Sequence, residues 1–214
     1  MTWIQTMTGR RFDFVKMDVG SVDIRDVAHA LSNICRFNGH TREFYSVAQH
    51  SVLASCLVGM DLEPAQRLVA AQEALLHDAH EAYVGDVTRP LKQKVKGYID
   101  VEWPVQAVVR KALRLPEYPA EFVKHAVKHV DEMLLATEGR DLMGTTEDWE
   151  LQAAPFMGFS IIPQAAPVAR NQFIERYAYL FGHATVVPPE EVSYDIHPLL
   201  VVHKDPDGVP VKRV

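Results

Sequence analysis

The stretch LLHDAHEAYVGD, residues 75–86, sets His77, Asp78, His80, Glu81 and Asp86 within and just beyond an apolar helical run. Helical residues advance by about 100°, so His77, Asp78 and Glu81 are expected to share one face, with Ala79 opposite and His80 at the margin. Imidazole nitrogens and carboxylate oxygens are good ligands for zinc, manganese, iron or cobalt, but one helical turn supplies too few of them to close a coordination shell. Two other positions offer the remainder. His50 in FYSVAQHSVLAS has Val47, Leu53 and Ala54 around it at helical spacing, and Asp131 in KHVDEMLLATE lies near the apolar face of Val127, Leu134 and Leu135. Burying a carboxylate with neither a cation nor donors is costly, and a metal ion would offset that cost. Taken singly, a histidine on an apolar face is usually a core residue and a helical aspartate usually a solvated one. The ordered set of His, His-Asp and Asp over three predicted helices is what points to a common metal centre.

The elements that must position these groups read as an all-α fold. WIQTMTGRRFDF suggests a short N-terminal hairpin around Thr8-Gly9. Asp23 can cap a helix carrying Ile24, Val27, Ala28, Leu31 and Ile34 on one face as far as Phe37, with Gly39 just beyond. A second helix is expected from Ser46 to Leu57, and a third from Pro64 to about Tyr83, closed by Gly85. Further helical patterns cover 98–113, 119–137 and 167–181. The tail beyond Gly182 reads as an irregular arm, or one holding a short strand pair around Asp207-Gly208. No repeat or linker divides the 214 residues, so a single domain is expected, with the motif-bearing core at about 22–137 and the arm at about 182–214.

Composition narrows the function classes. A formal net charge of −6 argues against a dedicated binder of nucleic acid polymers. Cys35 and Cys56 stand far apart with no C-x-x-C pair, which fits two buried free thiols in a reducing compartment. The N-terminus lacks an apolar leader core, and no run of about 18 apolar residues occurs, so a cytoplasmic protein without a membrane partner is expected.

His50, His77-Asp78 and Asp131 resemble the H…HD…D signature of the HD-domain metal-dependent phosphohydrolase superfamily, an all-α fold around a divalent metal. The longer segment HDAHEAYVGDVTRPLK resembles the H-D-x-x-E-x-x-x-G-D-x-x-x-P-x-K block of its bacterial 5'-deoxynucleotidases and phage dNTP triphosphohydrolases. ALSNICRFNGH followed by YSVAQHSVLAS resembles their upstream block. The resemblance implies metal ligation by His50, His77, Asp78 and Asp131, with the ion left open among manganese, cobalt, zinc, iron and magnesium, and room for a second divalent ion. It implies catalytic roles for Glu81 and Asp86 in handling the attacking water, and phosphate contact by Arg36, whose planar guanidinium suits bidentate binding. Lys92, and with it Arg89, would extend the positive charge along a phosphate chain. Where the 5'-deoxynucleotidases carry a tryptophan that senses the missing 2'-hydroxyl, this chain has Phe37, and RFNGH is closer to the triphosphohydrolase branch.

The implied activity is hydrolysis of the 5'-phosphate ester of a small-molecule deoxynucleotide, leaning to dNTP cleavage into deoxynucleoside and triphosphate. Hydrolysis of dNMPs is the alternative, and a catalytically silent nucleotide-binding HD domain is the competing class. Glu81 and Asp86 discriminate, because a binding module needs no water-handling carboxylates. Cyclic-nucleotide cleavage lacks the extra histidine block that would support it. His80 is expected to be a neighbour of the site, and His125 and His129, flanked by Lys124 and Lys128, a solvated pair. Members of this superfamily commonly associate, and the apolar PLLVV of the tail would prefer burial, so a homo-oligomer is expected.

Overall fold

A computed structural model describes residues 1–182 and 200–202. The N-terminal hairpin is present: β1 (Trp3–Gln5) pairs antiparallel with β2 (Arg11–Asp13), Ile4 opposite Phe12. Its turn is fastened to the first helix, because the backbone N–H and the hydroxyl of Thr8 both donate to the Asp26 carboxylate at 2.7 Å. The fully buried Phe12 stacks on Tyr83 with ring centroids 4.0 Å apart, so the hairpin packs against the segment that carries the opening motif.

Helix α1 (Ile24–Asn33) starts as expected, with Asp23 accepting from the Arg25 N–H. It stops short of Phe37. Ile34 is extended, Cys35 pairs with Ser46 in an isolated antiparallel bridge, and Arg36–Gly39 make a tight 3-10 turn with Phe37 and Asn38 at φ 53° and 51°. Apolar spacing could not reveal this end, because Ile34 packs against the core in either conformation. The early stop brings Arg36 off the helix and beside the start of the next one.

That next helix, α2 (Val47–Leu57), opens on Ser46, whose hydroxyl accepts from the Gln49 N–H at 3.2 Å. All its residues but Cys56 are buried, as expected of a helix surrounded by others. Around it lie α1, α3 (Pro64–Leu76), α7 (Glu121–Leu142) and α8 (Ala166–Leu180). α7 runs five residues past the expected Thr137, which matters for the site. Between α3 and α7 come the short α4 (Glu81–Val84) and α5 (Arg89–Lys92) and the longer α6 (Tyr98–Ala112). Arg110 of α6 reaches both oxygens of the buried Glu73 on α3 and the Pro116 carbonyl, a fork that fixes α6 to the bundle.

Within 139–163 the chain forms β3 (Phe159–Ile161), which pairs antiparallel with β4 (Leu200–Val202), Ser160 opposite Val201. The strand pair suggested around Asp207-Gly208, like most of the arm, lies outside the described residues. The fold is all-α, with two short ribbons among the described residues. Cys35 and Cys56 are free but only half-buried, each on the rim of the core rather than inside it. No helix among the described residues is long and apolar enough to cross a membrane.

Candidate metal centre

The expected continuous helix from Pro64 to Tyr83 is broken at its chemically important part. α3 ends at Leu76, and the chain continues through hydrogen bonds of i to i−3 type: Ala79 N–H to Leu76 O at 3.1 Å, Glu81 N–H to Asp78 O at 2.9 Å and Tyr83 N–H to His80 O at 3.0 Å. In such a turn residues three apart eclipse one another, so Glu81 is aligned with Asp78 and His80 with His77. The α-helical projection, which put Glu81 near the face of His77, is corrected by this tightening. Gly85 closes α4 at φ 80° and ψ 160°, a region open essentially to glycine alone, and redirects the chain into Asp86.

His50, His77 and Asp78 each present a ligand atom, all within 4.8 Å of one another, and together form a group that could hold a metal ion. The two imidazoles are oriented from behind. Nδ1–H of His77 donates to the Ala74 carbonyl at 2.7 Å, and Nδ1–H of His50 donates to Glu138 Oε1 at 2.6 Å. In the neutral form of each ring the lone pair is thereby placed on Nε2, the arrangement in which histidines bind metals. Neither Nε2 has a partner of hydrogen-bonding geometry among the described residues. They face carboxylates instead, His77 Nε2 lying 3.1 Å from Asp78 Oδ2 and His50 Nε2 3.2 Å from Asp131 Oδ1. Asp131, on α7, therefore lies beside the same gap. Two imidazole nitrogens with the Asp78 carboxylate make a donor set that fits a first-row divalent ion, while Asp131 stands outside that group of three.

The charges around this group act strongly on one another. Burial disfavours the His77 imidazolium, yet Asp78 beside it prevails and lifts the pKa to about 9. Burial and Arg36 oppose protonation of His50, but Glu138 and Asp131 outweigh both and raise it. Burial works against the Asp131 carboxylate too, and His50 nevertheless holds it down at about 2; Asp78 is held well below the ordinary range against the same burial, chiefly by His77. Glu81 behaves oppositely. Buried, and then repelled by Asp78 and Asp86, it is pushed well above the usual carboxylate range, and burial pushes Asp86 upward as well.

The remaining expected groups surround this centre. Arg36 donates through Nε to Glu138 at 3.1 Å and lies 3.8 Å from Asp78, so it is an inward charge rather than a solvated helix end. The Phe37 ring sits beside that guanidinium at 5.5 Å and packs against Trp149, with centroids 5.9 Å apart. Lys92 is engaged by Glu102 at 2.6 Å and is 4.0 Å from Glu81. His80 is buried and meets the same Glu102 at 3.3 Å, which makes it a member of the site's polar border. His125 and His129 are exposed, as expected.

No protein-family model matches the chain. Two relatives do: it is 41% identical over 180 residues to the uncharacterized protein YfdR of Escherichia coli, a match covering 83% of this chain and 94% of YfdR. This chain belongs to the YfdR family. A second relative, the uncharacterized protein RCAP_rcc00048 of Rhodobacter capsulatus, is 32% identical over 148 residues, covering 68% of this chain and 75% of its own. The matches give the YfdR family no activity by name, so its chemistry has to be argued from the centre itself. Sequence reasoning misses one residue there, Glu138, which is fully buried and accepts from Arg36, His50 and, at 2.8 Å, the Tyr45 hydroxyl. The signal was available: Glu138 lies seven residues after Asp131, two helical turns along the same face of α7.

Proposed function

We propose that this chain is a metal-dependent phosphohydrolase that cleaves the 5'-phosphate ester of deoxynucleotides. The observation carrying this reading is the pair of oriented, unpartnered Nε2 atoms of His50 and His77 converging with Asp78 on one gap. Its HD-type order of ligands, with Asp131 as the fourth, supports the assignment. A divalent ion held there supplies, when bound, activation of water near neutral pH and neutralisation of charge on a phosphoryl oxygen. Manganese, cobalt, zinc, iron and magnesium are all compatible with the donors.

The protein's own groups divide the remaining work. Arg36 is positioned by Glu138 with its guanidinium toward Asp78, where it can bind a phosphate oxygen entering the centre. Glu81, buried beside Asp78, is placed to take a proton from water and return it to the leaving 5'-oxygen. Asp86 follows the Gly85 turn and can hold the same water. A silent nucleotide binder would gain nothing from burying Glu81 beside Asp78, so the hydrolase is preferred to that alternative.

Triphosphate substrates follow from the RFNGH resemblance. One observation favours monophosphates instead: Lys92, expected to extend along a phosphate chain, is already engaged by Glu102. Both are tested by one experiment. Chelator-treated protein, reloaded with each metal in turn, is incubated with deoxynucleoside mono-, di- and triphosphates, and the products are separated by chromatography. Release of phosphate or of intact triphosphate identifies the substrate class, and full turnover in metal-free protein would refute the reading.

A further inference from the structure

A cavity of ≈ 620 Å³ opens directly on His77 and Asp78. Its volume falls within the range of about 300–1,000 Å³ common to small-molecule sites. The inner end is charged, with Lys92 and Glu102 beside the candidate ligands. The outer wall is not. It is one face of α6, where Ile99, Trp103 and Gln106 recur at i, i+4 and i+7. Trp103 is 65% exposed and Ile99 70% exposed, so a large apolar surface stands open to water at the mouth of a polar site.

We propose that Trp103, with Ile99 beside it, is the platform on which the nucleobase of the substrate stacks, and that Gln106 addresses the polar edge of that base. The proposal rests on the nucleotide reading above and names the part of the substrate that reading left without a contact. A ligand matching the cavity must be anionic at one end, to meet a metal held beside His77 and Asp78, and flat and apolar at the other, to cover an indole. A nucleoside phosphate has that polarity. Stacking on indole tolerates any base because every base has a π-face, while the Gln106 amide offers both donors and an acceptor to the ring edge.

The test uses manganese-loaded full-length protein as wild type, Trp103→Ala and Trp103→Phe. Binding is measured by calorimetry with non-hydrolysable phosphonate analogues of the four deoxynucleoside monophosphates and of 2-deoxyribose 5-phosphate, which lacks a base. Trp103→Ala should weaken the nucleotide analogues about tenfold, the scale of a lost base–aromatic stack, and leave the baseless analogue unchanged. Trp103→Phe should retain most of the affinity. Equal binding of nucleotides by wild type and Trp103→Ala, or equal loss for both kinds of ligand, overturns the platform. So does a fall in light-scattering mass with unchanged nucleotide affinity, which would assign the face to a second copy of the chain. If wild type hydrolyses nucleotides while Trp103→Ala binds normally, only the platform falls. If nucleotides bind through Trp103 but are not hydrolysed, only the hydrolase reading falls. If wild type neither binds nor hydrolyses them, both fall.

Discussion

Glu138 shows how a residue that would not touch a metal held by His50, His77 and Asp78 could still govern its binding. It is the common acceptor of His50, Tyr45 and Arg36, so its removal frees the His50 ring and leaves the Arg36 charge without its buried partner. Glu138→Gln should lower metal affinity by about 10–100-fold, read by competition with a chelating dye. Glu138→Ala should in addition destabilise the fold by about 3–5 kcal/mol in denaturant titration. Glu81 is the converse case. An acid whose folded pKa is raised loses stability as pH climbs past its unfolded value, and at neutral pH that loss is present. Glu81→Gln should therefore keep the metal, reduce turnover by about a hundredfold or more, and raise the melting temperature of metal-free protein. An unchanged turnover would shift the water-handling role to Asp86. His50, His77, Asp78 and Asp131 were legible in the sequence because ligand-type side chains in apolar surroundings need partners. Glu138 carried only its seven-residue spacing from Asp131, a weak signal against the rule that a glutamate near the end of a helix ordinarily faces water.

At the scale of elements, the apolar repeats located the helices but not their ends. A helix and a 3-10 turn differ by about 20° per residue, too little for a four-residue stretch such as 77–80 to show in its pattern. The break nevertheless decides which carboxylate Glu81 faces. Likewise the extended Ile34 stays against the core, so the stop of α1 at Asn33 leaves no trace in hydrophobicity. Capping chemistry was more readable: Asp23, Ser46 and Pro64 all stand where their residue types require. Gly85 is the element-level test. A Cβ there would meet nothing within 4 Å, so Gly85→Ala brings backbone strain without a clash. It should cost about 1–3 kcal/mol and, by moving Asp86 relative to Glu81, lower turnover with metal still bound; equilibrium unfolding and steady-state assays read the two effects.

Across the whole molecule, two carboxylates outside the ligand set should add to the acid sensitivity that Asp78 and Asp131 bring. The Asp23 carboxyl is held at about 2 by the Arg25 side chain, and that of Glu102 at about 2 by His80 and then Lys92. Both are depressed, so their contribution is complete above the ordinary carboxylate range and is lost as pH falls toward 2. Circular dichroism melts between pH 5 and 2, in the order of about half-unit steps, should show a fall that is shallower in Glu102→Gln. A homo-oligomer is also expected. The ribbon of β3 and β4 draws part of the PLLVV run into pairing within the chain, and a light-scattering mass of one chain at micromolar concentration would count against association. The arm itself was not legible, since proline-rich sequence with scattered apolar residues specifies no repeat that one period can describe.

His50 sits in the middle of α2, a helix buried on nearly every side, and its partners reach it through the core. A lineage that gave up the proposed hydrolysis would therefore not shed these residues together. Selection for folding alone would go on preserving His50, Glu138, Arg36 and Tyr45, whereas Glu81, whose burial opposes stability, would be released as soon as turnover ceased to matter. An intact His50, Glu138, Arg36 and Tyr45 in a descendant would then be a fossil of architecture, and a retained Glu81 the mark of the proposed turnover still in use.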